Sequence, residues 1–354
     1  MMRTSRILHF AVWLLLSGCW LMPAAGWAQP ITANDFRNSQ FRGFTIGGAD
    51  YRGVSTDDLN ALAKTGANLV RIFITLKRCP NCVAYEDLQQ QDLSRLDALI
   101  DRLGARSIYV VLVLRPMGDE RGPFWDSTLL KESFVQQWKT LTTRYRSVAN
   151  MAGFDLLNEP VPPGRTYADR QSTWAAYAEA LGREIRALDP MRVLIVESAP
   201  DSTPTSFENV KPLSLENVVY SFHSYLPIAL THQGVMKEYT KPMTYGLGGA
   251  SDANRQDLHK FLNVVANFSA KHNVPILVGE FSCVRWAPQG SAYRYLSDSI
   301  EFFEAKGWSW IYHEFRAWPG WDAEVASEAK AEAKRSFEAP LMKLLREKMA
   351  SNKK

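Results

Sequence analysis

The chain has 354 residues, and its 46% hydrophobic and 12% aromatic content is ample for a large core and excludes disorder. Its formal charge of +4 is spread over 41 basic and 37 acidic residues with no basic block, which argues against a nucleic-acid partner. The length suits one large α/β barrel or two ordinary domains.

Residues 1–28 read as an export signal. Arg3 and Arg6 precede an apolar run over 7–16, and small residues crowd 23–28. Gly26-Trp27-Ala28 is a small-x-small cleavage site, and cleavage after it lowers the formal charge to about +2. Leu16-Ser17-Gly18-Cys19 is a competing lipoprotein-type site that would leave a lipid anchor on Cys19, although the apolar run continues past it to Met22. Both sites predict a secreted or periplasmic protein whose working part is 29–354, and no later segment reaches the length of a membrane span.

From residue 40 onward, strand and helix patterns alternate. A strand over 44–50 leads to a helix over 56–64, opened by the capping residue Ser55. Strands over 68–75, 108–116, 153–158 and 193–198 follow, separated by helices over 93–103, 129–148 and 167–188. The crossover 199–217 is Pro- and Ser-rich and has room for a short helix only. Strands over 218–225, 276–281 and 308–315 then alternate with helices over 252–272 and 293–306, and a helix over 328–349 comes last. Most of the strands are continuous apolar runs, the pattern of strands buried on both faces. Gly104 and Gly307 stand where helix-terminating glycines belong. Eight strands alternating with crossovers predict a single α/β (β/α)8 TIM barrel. A doubly wound open sheet is disfavoured because Gly47-Gly48 does not supply GxGxxG.

The cysteines carry little signal. In an exported chain, Cys79-Pro80-Asn81-Cys82 reads as a short local disulfide, with Cys283 left free. A redox motif would need a thioredoxin-like context, and a zinc site would need a second pair of ligands.

In a barrel of this kind chemistry collects where strands end. Those ends carry Asp50, Arg71 with Thr75, Arg115, Asn158-Glu159, Glu197, His223 with Tyr225, Glu280 and Tyr312-His313-Glu314. The stretch FDLLNEP, 154–160, is the sharpest example: an apolar run ends on an amide and a carboxylate, residues that avoid burial unless paired. Glu159 and Glu280 close the fourth and seventh strands, which face each other across a barrel mouth. Two carboxylates flanking a cleft are the minimum apparatus for glycoside hydrolysis. The six histidines form no HxH pair, so neither a metal nor a cofactor is expected.

Taken together, Asn158-Glu159-Pro160, His223-Ser224-Tyr225, Gly279-Glu280-Phe281 and Asn68-Leu69-Val70-Arg71 resemble glycoside hydrolase family 5, the cellulase-like family of retaining (β/α)8 enzymes. The resemblance runs from Arg42-Gly43 to the last strand. It implies Glu159 as general acid/base and Glu280 as nucleophile, with Arg71, Asn158, His223 and Tyr225 around them. Those roles demand a raised pKa at Glu159, an ionised Glu280, and a hydrogen bond from Asn158 to the sugar 2-hydroxyl. The chain departs from the family at Arg115, where a histidine is usual, and at His313, where a sugar-stacking tryptophan is usual. Both are expected to face the cleft, with Trp310 and Trp318 as substrate contacts and Trp321, Trp125 and Trp286 as further candidates. The implied activity is a secreted, monomeric, retaining endo-β-glycosidase on a β-1,4-linked polysaccharide, glucan before mannan. Trimming of a bacterial exopolysaccharide is a variant of that reading. A catalytically silent glycan-binding barrel is the alternative from another class, and the presence of both glutamates argues against it.

Overall fold

A computed structural model describes residues 30–48, 50–116, 118, 122–249, 252–327 and 334–352; the leader-like segment with Cys19 lies outside them. The strands are β1 Arg42–Ile46, β2 Leu69–Leu76, β3 Tyr109–Pro116, β4 Met151–Asp155 and β5 Leu194–Glu197. They continue with β6 Val218–Ser224, β7 Thr244–Tyr245, β8 Asp252–Ala253, β9 Ile276–Phe281 and β10 Ser309–Phe315. Strands β1 to β6, then β9 and β10, close a barrel in chain order, and every neighbouring pair is parallel. The predicted (β/α)8 barrel is the fold.

Two apolar clusters follow from the alternation of side chains along each strand. Val70, Ile72 and Ile74 of β2 face outward into the cluster that the surrounding helices complete. Leu69, Val111, Ala152, Val219, Leu277 and Ile311, near the starts of their strands, fill the barrel's lower interior, with Phe36 and Phe41 closing it from below. The same inward row of β2 then carries Arg71 and Phe73 toward the mouth. A packed lower plug therefore leaves the upper barrel for polar groups.

Several boundaries differ from the sequence reading for identifiable reasons. β1 ends at Ile46 because Gly47 and Gly48 turn the chain with φ of 78° and 52°. Residues 252–253 are not the start of a helix: β8 pairs with β7, and the helix Arg255–His272 begins after Asn254, whose side chain accepts from the Asp257 N–H. The last helix spans Pro340–Met349, with a proline in its first turn, where the missing N–H costs nothing. Gly307 has the left-handed φ of 69° expected of a helix terminator. Gly104 instead remains inside the helix Gln90–Gly104, where a Cβ would come within 3.0 Å of Asn150 Nδ2. The crossover after β5 carries one 3-10 helix, Pro204–Asn209. Cys79 and Cys82 are disulfide-bonded, and Cys283 is free and buried.

Candidate active site

The polar layer above the plug is organised by Arg71. Its side chain has no exposure, and its guanidinium forks to four partners from three other strand ends. Nε donates to Asp155 Oδ2 at 2.8 Å and Nη1 to Glu280 Oε1 at 2.6 Å. Nη2 donates to Asn158 Oδ1 at 2.9 Å and to Glu197 Oε1 at 2.8 Å. A planar fork with five donors suits this task, and a single ammonium does not.

Glu197 is the second organiser. Its Oε2 accepts the Glu159 backbone N–H at 2.7 Å and the Ser202 hydroxyl, while Oε1 lies 3.3 Å from His223 Nε2. The contact to Glu159 matters because that residue has φ of 43°, a left-handed conformation that costs a non-glycine residue free energy unless its surroundings hold it. Trp174 Nε1 in turn donates to the Glu197 carbonyl at 2.7 Å, anchoring this strand end to the helix Tyr167–Arg186.

Glu280 is aimed by a bulge. Phe222 and His223 of β6 pair with Val278 and Glu280, and Trp310 and Tyr312 of β10 pair with Val278 and Phe281. β9 therefore carries one extra residue against both neighbours, which breaks its alternation at Gly279. A Cβ at Gly279 would come within 2.6 Å of Ser221 Oγ, so only glycine fits beside the nucleophile candidate. Glu280 Oε2 accepts the Tyr225 hydroxyl at 2.8 Å and lies 3.6 Å from His313 Nδ1.

The two glutamates sit in opposite electrostatic surroundings. Burial raises the pKa of Glu159, and the opposing hydrogen bond and charge of His223 do not cancel that. Burial would raise Glu280 as well, but the charges of His223, His313 and Arg71 and the Tyr225 hydroxyl hold it far below the usual carboxylate range. His223 is driven well above its ordinary value: burial opposes its charge, but Glu197, Glu280 and its hydrogen bond to Glu159 prevail. Its Nδ1 therefore donates to Glu159 Oε1, at 2.9 Å. Burial pushes His313 down to about 4, so near neutral pH its ring is uncharged and Arg71 and His223 hold Glu280 ionised.

A cleft of about 690 Å³ opens over these groups. Asn158, Glu159, His223, Tyr225, Glu280, Arg115 and His313 all line it, so both departures from the family pattern lie on the cleft wall. Glu159 presents a side chain 36% exposed, open to a ligand, whereas Glu280 is nearly closed over.

Four expectations need correction. Arg71 does not contact the cleft; it lies beneath it and acts through the carboxylates. Trp310 is fully buried and packs edge-on against Phe281 in the outer cluster, because Ile311 takes the inward position on β10. Trp318 backs the wall without reaching it: its ring packs on Trp321 at 4.8 Å and Trp286 at 5.7 Å. Trp321 is the tryptophan that lines the cleft, stacked on Tyr225 at 6.0 Å and edge-on to His313 at 5.1 Å. Trp125 belongs to the core with Trp174 and Tyr177.

The sequence showed no metal-ligand spacing, yet the fold brings ligand atoms of Glu159, His223 and Glu280 within 4.8 Å of one another. Their chemistry is poorly suited to a cation. Arg71 and Tyr225 already occupy the two oxygens of Glu280, and a protonated His223 and Arg71 would repel a divalent ion. The cluster is better suited to holding and moving protons.

A barrel mouth carrying one carboxyl biased toward its acid form and one held ionised, over an open cleft, defines a glycoside hydrolase of the paired-carboxylate kind. The family described as cellulase (glycosyl hydrolase family 5) matches residues 31–318, and the chain belongs to it. Endoglucanase C of Acetivibrio thermocellus is 22% identical over 282 residues, covering 71% of this chain and 80% of that protein. Thermotoga maritima Cel5A, solved with a cellobiose substrate, aligns with a TM-score of 0.73 at 23% identity over 89% of this chain and 99% of its own. The cellulose synthase subunit Z (CcsZ) of Clostridioides difficile aligns with a TM-score of 0.71 at 22% identity, covering 86% and 99%. The protein is thus a β-glycosidase of cellulase type.

Proposed function

We propose that the protein is an exported, retaining endo-β-glycosidase that cleaves a β-1,4-linked glucan by double displacement. The observation that carries this is the close approach of two differently biased carboxylates, with ligand oxygens of Glu159 and Glu280 within 4.8 Å. Retaining glycosidases hold their carboxyl groups roughly 5–5.5 Å apart, whereas inverting ones leave room for a water at about 6.5–9.5 Å. In the first step Glu159 gives its proton to the glycosidic oxygen while a Glu280 oxygen attacks the anomeric carbon, releasing the leaving chain. In the second step the Glu159 carboxylate takes a proton from water, whose oxygen displaces Glu280 and restores both groups. Tyr225 and Arg71 stabilise the carboxylate that departs, and Asn158 is placed to bond the sugar 2-hydroxyl.

The names of the relatives support β-glucan as the substrate class, and the leader-like residues 1–28 with the Cys79–Cys82 disulfide support export. A second reading is trimming of a polysaccharide during its synthesis. It draws on the likeness to CcsZ and on a cleft wall that carries Arg115 and Glu314 beside Trp321. The test is a panel of defined oligosaccharides with NMR of the first product anomer, run beside Glu280→Gln. Retention on β-1,4-glucan is expected; the inverted anomer as first product would overturn the mechanism, and cleavage of another glycan alone would overturn the substrate.

A further inference from the structure

Glu314 has no part in the chemistry above, yet its surroundings are unusual for a carboxylate. Its side chain is 7% exposed, and its partner His313 Nε2 stands 3.7 Å away, too far for a hydrogen bond. Its carboxyl is one of the groups that line the cleft. A carboxyl so nearly enclosed takes its hydrogen bonds from whatever fills that space, solvent or a ligand.

The fold presents Glu314 deliberately. Phe44 of β1 pairs with Tyr312 and Ile46 with Phe315, so β10 carries an extra residue at His313–Glu314. The bulge lets both consecutive side chains line the cleft. Glu314 also lines a second hollow of about 530 Å³, walled by Asp50, Val54, Leu59, Arg316 and Ala317. Gly48 lines both spaces, and a Cβ there would lie 3.5 Å from Glu314 Oε2 and 3.0 Å from Ala317 Cβ, crowding the boundary between them.

The position also assigns a side. Glu159 protonates the departing oxygen, so the leaving chain lies toward β4 and its neighbours, where Tyr167 and Thr205 line the cleft. The glycone then runs the other way, past β10 and β1, toward Gly48 and the hollow.

We propose that Glu314 is a specificity-determining residue, accepting hydrogen bonds from the hydroxyls of a neutral glycone sugar seated at the Gly48 opening and the hollow beyond. The inference rests on the reading of the protein as a β-glycan hydrolase. Polar recognition of this kind takes over from the aromatic platform that His313 replaces. The carboxyl's own bias fits: burial and the charge of Glu280 on β9, only partly offset by Arg115 on β3, push Glu314 up to about 7. Hydroxyl donors would favour its ionised form.

The experiment uses aryl β-cello-oligosaccharides of increasing length, whose chromophore fixes the cleaved bond so that each added sugar extends the glycone. In the wild-type enzyme kcat/KM should rise by a step of about tenfold or more at the unit that reaches the hollow. Glu314→Ala should abolish that step, lowering the ratio of long to short substrates. Ala317→Trp, at an exposed position on the wall of the hollow, should plug the hollow and abolish the step. A step retained in both variants, no step in the wild type, or a uniform loss at every length in Glu314→Ala would overturn the inference and leave the proposed function standing. A wild-type enzyme inactive on every member of the series would overturn both.

Discussion

Replacing Arg71 tests the polar layer most directly. Arg71→Met keeps much of the side-chain length but removes the cation that Asp155, Glu197 and Glu280 share at 2.6–2.8 Å. Breaking a buried charge cluster from one side costs about 3–5 kcal/mol, and with no exposed partner except a sliver of Glu280, little solvent screening reduces it. Arg71→Lys keeps the charge, but one ammonium cannot reach three strand ends at once, so it should recover part of that loss.

The pH dependence supplies the discriminating sign. Glu280 has a depressed folded pKa, so its contribution to stability is fully present above the ordinary carboxylate value of about 4.3 and is lost as pH falls through the folded value. Without Arg71 that depression shrinks, so the stability deficit of Arg71→Met should be largest near neutral pH and should narrow on acidification. The acidic limb of kcat/KM should move upward for the same reason, with at least about a hundredfold loss at pH 7. Chemical denaturation at two pH values and a pH–rate profile are sufficient assays. A variant as stable as wild type at pH 7, a deficit that grows toward acid, or an unmoved acidic limb would refute the assignment.

Glu280→Ala should lose at least about a thousandfold in kcat on any substrate, whereas Glu159→Ala should be milder on aryl glycosides with good leaving groups. Equal losses on such a substrate would contradict the separate roles. Activity should persist in EDTA, since Arg71, Tyr225 and His223 already engage the three clustered ligand groups; loss that returns with added metal would overturn this. His313→Ala should raise KM or shift product lengths while changing Tm by only about 2 °C. Unchanged kinetics would remove His313 from the substrate wall. Because burial holds His313 near 4, its removal should introduce no change in the kcat/KM profile between pH 6 and 8, and a vanished inflection there would show that it titrates where the structure says it does not.

The barrel was legible because parallel strands covered on both faces must be continuous apolar runs, and eight such runs alternate with helical patterns. The carboxylates at their ends were legible for the complementary reason: Glu159 and Glu280 interrupt strongly apolar segments. Tryptophan assignments fared worse. Whether Trp310 points inward depends on single-residue register, and the bulges in β9 and β10 that set register arise from contacts between strands distant in sequence. Trp318 and Trp321 share one short loop, and only packing against Trp286 and Tyr225 separates backing from lining. Asp155 carried a usable signal, since an ionisable residue inside an apolar run demands a buried partner. Arg71, two positions into an apolar strand of its own, was that partner.

Two chemically identical side chains acquire opposite protonation biases here. Glu280 lies near the C-terminal end of β9 and Glu159 just beyond that of β4. The difference lies in what other strands deliver to each. β2 and β6 bring Arg71 and Tyr225 directly onto both oxygens of Glu280, so burial, which alone would neutralise it, is overcome by paired donors. Glu159 meets one histidine, and its left-handed backbone carries its carboxyl up and away from the Arg71 fork into the open cleft. Glu197 connects the two outcomes: one oxygen helps hold Arg71 in place beneath Glu280, and the other pins the Glu159 backbone turn. The division into a carboxyl biased toward its acid form and one held ionised is therefore a property of the closed barrel, and weakening Glu197 should blur it at both glutamates together.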